Sequence, residues 1–249
     1  MYDGNTNVWN TNISHPAEEL SCFQHVNDQY DFRKKLIIKT LKENGIGISF
    51  SAVIGRGGLL KPTSGGVYEI NDRIIYDLKN SHMEHASNLA AQIAYDISGM
   101  SGSGCKAYIA DPVVTDELCD LARVSGIPEL PRISIFHALN SRAVARMYAA
   151  GINRKYEEMN ILVVHMGGGI SISAHSCGKV IDVNNALNGD GPFSPERAGT
   201  LPAAQLVDLC FSGKYSQDDI HRMISGHGGL YAHLATTAVR EIVKHIEAG

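Results

Sequence analysis

Ile161-Leu162-Val163-Val164-His165-Met166-Gly167-Gly168-Gly169-Ile170-Ser171-Ile172-Ser173-Ala174 is the stretch from which the fold of this chain is read. An apolar run leads into three consecutive glycines, and apolar residues then alternate at Ile170, Ile172 and Ala174, so a glycine-rich turn is expected to join two strands. Three residues without β-carbons let backbone N–H groups approach an anion closely, and a nest of such donors suits phosphoryl oxygens. A plain hairpin turn is the other reading of the same residues, so the surrounding sequence has to decide.

Composition narrows the choice of function. The 249 residues, 44% hydrophobic and 19% charged, suffice for one large or two small domains. A net charge of −4 gives no basic footprint for nucleic acid. No apolar run approaches the ~20 residues of a membrane span. The segment Met1 to Asn7 lacks the basic and apolar regions of a secretory signal, so a cytoplasmic protein is expected. Cys22, Cys105, Cys119, Cys177 and Cys210 are scattered without a Cys-x-x-Cys pair and read as reduced thiols. The pairs His82 with His85 and His221 with His227 lack a convincing ligand set, so a structural transition-metal site is not expected.

Along the chain the pattern alternates between helix and strand. Helices are expected in two segments at the start, one opening at His15-Pro16-Ala17-Glu18-Glu19-Leu20 and one over Phe32, Leu36, Ile37 and Leu41 to a stop at Asn44-Gly45, then from Glu84 to Ile97 and from Ser134 to Ala150. Further helices are expected around Ala203 to Phe211, Ser216 to Ile224 and Thr236 to Ile246, with strands over Ile48 to Ile54 and Ala107 to Ala110. This order is α/β.

After the glycine turn comes Val180-Ile181-Asp182-Val183-Asn184-Asn185-Ala186-Leu187-Asn188-Gly189-Asp190-Gly191-Pro192-Phe193-Ser194-Pro195-Glu196-Arg197-Ala198-Gly199, a polar, turn-dense run with one arginine among prolines and glycines. Turn and run together resemble the acetokinase family, and its butyrate kinase branch in particular. The resemblance extends through Gly55-Arg56-Gly57-Gly58-Leu59-Leu60-Lys61-Pro62, Glu84-His85-Ala86-Ser87-Asn88, Ala110-Asp111-Pro112 and Ser134-Ile135-Phe136-His137-Ala138-Leu139-Asn140. It implies a two-lobed, actin-like and ribonuclease-H-like kinase fold. Residues 1–150 would form the first lobe and residues 151–249 the start of the second, with Gly151 to Asn160 as the joint. It also implies truncation at both ends: the family's Asn-Pro-Gly-Ser-type phosphate loop would precede Met1-Tyr2-Asp3-Gly4, which matches the middle of a first hairpin. The glycine-rich adenosine segment would follow Gly249.

The implied reaction makes an acyl phosphate from ATP and butyrate or a branched short-chain fatty acid, with Mg²⁺. The alternatives are a catalytically silent, ligand-binding fragment and a kinase for another small acid such as acetate. A homo-oligomer is implied by the resemblance. Bringing a carboxylate and a phosphoryl group into line requires cationic clamps. Arg56 and Arg197 match the family's two functional arginines, and with His85 they would contact the acid. His137 would stabilise the transferring phosphoryl group. Asp111 matches the catalytic aspartate and would position the acceptor or help hold Mg²⁺. His165, Gly167, Gly168 and Gly169 would cradle the phosphates; acetate kinases carry Asn at the place of Gly168. Asp182, Asn184 and Asn185 either line the site or serve turn hydrogen bonds.

Overall fold

A computed structural model describes residues 1–15, 17–81, 85–102 and 104–248. Pro16, His82 and Glu84, on which three of the expectations rest, lie outside the described residues. Two compact units are present. One comprises Met1–Leu59 with Tyr68–Ile109, the other Leu60–Val67 with Ala110–Gly249.

The first unit opens with a small antiparallel hairpin, β1 (Tyr2–Asp3) and β2 (Thr6–Asn7), followed by α1 (Ala17–Leu20) and α2 (Tyr30–Glu43). Helix α2 ends where the sequence places its stop: the Asn44 N–H and side chain return to the Thr40 carbonyl, and Gly45 takes a left-handed φ of 69°. Then come β3 (Ala52–Arg56), β4 (Val67–Glu69), α3 (Asp72–Lys79), α4 (Ser87–Met100) and β5 (Lys106–Ala110), with the strands ordered β3-β5-β4 in one sheet. The apolar face of α4, Leu89, Ile93 and Ile97, packs with Val26, Tyr30, Ile37, Ile48, Phe50 and Val53. Gly55 lets β3 approach that helix, since a β-carbon there would stand 2.7 Å from the Ala90 carbonyl oxygen. Strand β3 lies later than the expected Ile48–Ile54, because Ile48 and Phe50 serve the α4 cluster from irregular chain.

The second unit contains α5 (Asp120–Arg123), α6 (Ala138–Gly151), β6 (Asn160–Met166), β7 (Ile170–Ser176), β8 (Lys179–Val183), α7 (Ala203–Cys210), α8 (Gln217–Ile224), α9 (Leu230–Leu234) and α10 (Val239–Ala248). Strands β6, β7 and β8 form an antiparallel meander in which Met166 faces Ile170 across the glycine turn. Two differences from the sequence reading have local causes. Residues 134–136 are irregular rather than helical: the Ser134 hydroxyl donates to the Thr115 carbonyl, Phe136 N–H to Val113, and Ala186 N–H to Ile135, which together hold the strip out of the helix. The start of the polar run is strand β8, because Val180 and Val183 are buried with Leu118, Ala122, Phe136 and Ala138.

The compact units do not divide at Gly151. Helix α6 packs on β6 through Ala145, Ala149, Tyr156, Met159 and Val163, so the expected joint lies inside the second unit.

A buried polar chain runs through that cluster. The Ser173 hydroxyl donates to the Val163 carbonyl at 3.3 Å, so it accepts from His175 Nε2 at 2.8 Å, and His175 Nδ1 accepts the Tyr156 hydroxyl at 2.7 Å. Both ring nitrogens of a neutral imidazole are thereby satisfied. Burial, assisted by the Arg142 charge, lowers the His175 pKa to about 4. A histidine whose folded pKa lies below its unfolded value of about 6.5 leaves stability intact above that pH, and stability falls as the unfolded chain alone takes up the proton. Stability is therefore expected to drop by on the order of 3 kcal/mol between pH 7 and pH 4 from this group. Urea midpoints of the wild type and His175→Gln across that range check it: the variant should show a flatter acid limb, and parallel curves would rule the assignment out.

Candidate active site

The β6–β7 turn holds the chemistry. Gly167 N–H donates to the Gly169 carbonyl at 3.1 Å, and none of the three glycines adopts a left-handed φ. Backbone sign therefore does not demand glycine here, but space does. A β-carbon would stand 3.1 Å from His165 Nε2 at Gly167, 2.8 Å from Glu196 Oε1 at Gly168 and 2.5 Å from Arg197 Nη1 at Gly169. Each glycine is thus faced by a different ionisable side chain, which a plain hairpin turn would not require.

Glu196 and Arg197 reach the turn because their loop is pinned elsewhere. Gly226 N–H donates to the Glu196 carbonyl, Ala198 N–H to Ile224, Leu230 N–H to Ser194, and Tyr231 N–H to Pro195. The Ser194 hydroxyl crosses to the Gly168 carbonyl at 2.5 Å. Arg197 Nη1 donates to the Ala186 carbonyl at 2.5 Å while its Nε is buried without a hydrogen-bond partner. Burial pulls the Arg197 pKa below its ordinary value, and the neighbouring Glu196 charge opposes that shift.

Two histidines complete the cluster. His137 precedes α6 as its N-cap residue, and its ring stacks on that of His165 with centroids 3.8 Å apart and planes 11° from parallel. His137 Nδ1 lies 3.1 Å from the Ser171 hydroxyl, on β7 just past the turn. His165 Nδ1 lies 3.0 Å from Asn140 Oδ1, and since that oxygen accepts, the His165 proton sits on Nδ1. The structure therefore brings His137, His165, Gly167, Gly168, Gly169 and Arg197 together. Glu196, Ser194, Ser171 and Asn140 join them, although the sequence reading did not assign them a role. For Glu196 a signal was present in its adjacency to Arg197; the others are placed by strand register and helix phase.

Asp111 belongs to a different cluster of the same unit. It directly follows β5 with a left-handed φ of 37°, a strained value for a non-glycine residue, and exchanges two hydrogen bonds of 2.8 Å with Gly66, one through its own N–H and one through Oδ1. Arg142 Nε stands 3.0 Å from Oδ1, off the N–H axis, so this contact is an ion pair rather than a hydrogen bond. Arg146 Nη1 donates to Oδ2 at 3.0 Å. Arg142 continues to Glu117 at 2.7 Å, and Glu117 accepts Gly65 N–H at 3.0 Å and Val180 N–H at 2.9 Å. Gly65 makes room for this, since a β-carbon there would meet Arg142 Nη1 at 2.7 Å. Two guanidinium groups thus lie against the Asp111 carboxylate in this arrangement. Among the described residues, no group of three or more His, Cys, Asp or Glu gathers as a metal site.

Arg56 and His85 lie in the first unit. Arg56 is exposed at the end of β3, and the following Gly58 is closed against Asn88, whose Oδ1 accepts the Leu59 N–H at 2.8 Å. His85 Nδ1 accepts the Ser87 N–H at 3.2 Å at the entrance to α4, so its neutral form carries the proton on Nε2. Asn184 and Asn185 serve turns: Asn184 bridges Ile172 N–H, Ile170 carbonyl and Asp190 carbonyl, and Asn185 Oδ1 accepts Leu187 and Asn188 N–H. Asp182 pairs with Arg132 at 2.9 Å.

Removing one partner of a buried pair strands the other charge. Asp111→Asn is expected to cost about 3 kcal/mol or more in a urea unfolding experiment. A loss under about 0.5 kcal/mol, the range of an exposed position, would show that the Arg142 guanidinium does not depend on Asp111.

A sequence model of the acetokinase family matches residues 132–249. A "probable butyrate kinase" of Phocaeicola vulgatus is 58% identical over 242 residues, 97% of this chain and 68% of that protein. A second, of Bacteroides thetaiotaomicron, is 51% identical over 249 residues, which is 70% of its length. Among solved structures, Porphyromonas gingivalis acetate kinase superposes with a TM-score of 0.71 at 19% identity, and a Francisella tularensis propionate kinase with 0.70 at 16%. This chain spans 58% of each of those two, and at such identities the likeness shows the α/β kinase fold alone. No described helix is long and apolar enough to cross a membrane.

Proposed function

Because the chain belongs to the acetokinase family, we propose that it serves an ATP-dependent carboxylate kinase of the butyrate type, forming an acyl phosphate from butyrate or a branched short-chain fatty acid. The observation that carries the proposal is the glycine turn, cleared of β-carbons and faced by His165 and Arg197. Relatives named as butyrate kinases at 51–58% identity support that acid over acetate.

In this reading a carboxylate oxygen attacks the γ-phosphorus and the bond to the bridging oxygen of ADP breaks. Glycine-turn N–H groups hold phosphate oxygens, with the His165 ring beside Gly167, and their alignment supplies much of the catalysis. Arg197, desolvated and tethered to the Ala186 carbonyl, presents its guanidinium where negative charge gathers. His137, fixed by Ser171 and by the His165 ring, is placed to stabilise the equatorial oxygens of the transferring group. Arg56 and His85 are assigned to the acid on resemblance. Asp111 acts by holding Arg142 and Arg146 rather than by binding metal. Mg²⁺, when bound with the nucleotide, would neutralise charge on its phosphates.

Acyl phosphate trapped as its hydroxamate tests the reading. Arg197→Lys keeps charge but loses the planar fork and should lower kcat/KM by about tenfold or more. His137→Ala should lower kcat by about 10²–10³ with a melting temperature within a few degrees of the parent. Near-normal turnover in either variant would remove that residue from the mechanism, and absence of butyrate-dependent product in the parent would overturn the proposal.

A further inference from the structure

The charge of the glycine turn is mixed. A cradle for phosphoryl oxygens would be expected to present donors and cations, yet the side chain over its middle residue is a carboxylate: Glu196 Oε1 lies 2.8 Å from the position a Gly168 β-carbon would take. That placement is built, not incidental. The Glu196 carbonyl accepts Gly226 N–H at 2.8 Å, the Ser194 hydroxyl of the same loop bonds the Gly168 carbonyl, and glycine at 168 leaves the carboxylate its space. Among the described residues its carboxylate accepts no hydrogen bond and feels the Arg197 charge through space. A polyphosphate lodged in the turn would meet this negative charge unless a cation lay between them.

We propose that Glu196 is the acidic arm of the phosphate turn, where a divalent cation is shared between its carboxylate and phosphoryl oxygens held by Gly167, Gly168 and Gly169. The inference rests on the phosphate-binding reading of the turn given above. Mg²⁺ suits such a site because it keeps most of its waters and is commonly held by one or two protein carboxylates together with substrate phosphates. No cluster of protein ligands is therefore needed. The assignment also provides a metal contact that Asp111, occupied by two guanidinium groups, does not. The competing role for Glu196 is a through-space partner that steadies Arg197; it predicts equal effects on metal-bound and metal-free polyphosphate.

Inorganic tripolyphosphate, which needs no adenosine contacts, separates these roles. Its binding to the wild type, Glu196→Gln and Gly168→Ala is measured by calorimetry with and without Mg²⁺. Complexation of metal by tripolyphosphate in solution is common to all three proteins and cancels in the ratio. Wild-type affinity should rise about tenfold or more with Mg²⁺. Glu196→Gln should bind metal-free tripolyphosphate at least as well as the wild type and keep less than about a threefold metal effect. Gly168→Ala, whose methyl displaces the carboxylate, should move the same way and covers the case in which Glu196→Gln fails to fold. Paramagnetic resonance of Mn²⁺ in the ternary mixture should show an immobilised ion with the wild type and lose it with Glu196→Gln. A wild-type metal ratio retained in both variants overturns the Glu196 assignment and leaves the turn as a phosphate site. No tripolyphosphate binding by the wild type under either condition overturns the turn reading, and this inference with it.

Discussion

The Arg142 guanidinium, buried between Asp111 and Glu117, ties together four separate stretches of the second unit. Through Asp111 it holds the end of β5 and Gly66, and through Glu117 it holds Gly65 and the first residues of β8. Helix α6, which carries Arg142, thereby takes a fixed position, and the His137 that begins α6 and the Asn140 in its first turn take theirs with it. Burying three charges costs solvation that their mutual attraction only offsets when the remaining hydrogen-bonding capacity is filled. Backbone N–H groups of Gly65, Gly66 and Val180 supply hydrogen bonds to the two carboxylates here, while Arg142 Nε keeps an ion pair without one. The network is better understood as specifying an arrangement than as a source of net stability.

From that frame the site is assembled by two histidines and one loop. Stacking against His165 and the hydrogen bond to Ser171 fix the His137 ring on two sides, while Asn140 fixes the His165 tautomer. The 194–199 loop contributes opposite charges in adjacent residues, each over its own glycine. Half-burial strengthens the field of Arg197 because less water screens it. A turn carrying imidazole, carboxylate and guanidinium in sequence is suited to a ligand that itself combines anionic oxygens with a cation.

Elements with local signals were legible in the sequence. Helix α2 follows its apolar spacing and ends at Asn44-Gly45, β5 covers the expected strand, and the β6–β7 hairpin lies where apolar alternation and glycines put it. Elements fixed by distant partners were not. Ser134 to Phe136 reads as the start of a helix, yet bonds to Val113, Thr115 and Ala186 hold it outside the helix. Val180 to Val183 sits in a polar run, yet two of its residues close a core formed by α5 and the start of α6. Gly151 to Asn160 looks like a joint between lobes, although its Tyr156 and Met159 are buried with residues of α6 and β6 inside one unit.

The sequence by itself determined the family, the α/β order and the candidate site residues, because turn glycines, strand alternation and motif blocks are encoded within a few neighbouring positions. Tertiary structure decided which of those residues meet. Glycine at 167, 168 and 169 reads from sequence as freedom of the backbone, but its cause is the space taken by His165, Glu196 and Arg197, two of which arrive from about thirty residues further along the chain. Asp111 reads as a metal or acceptor ligand from its place at a strand end, and packing sets two arginines one helical turn apart on α6 against its carboxylate. Electrostatic character depends on distance and burial, and both are set by packing between segments remote in sequence.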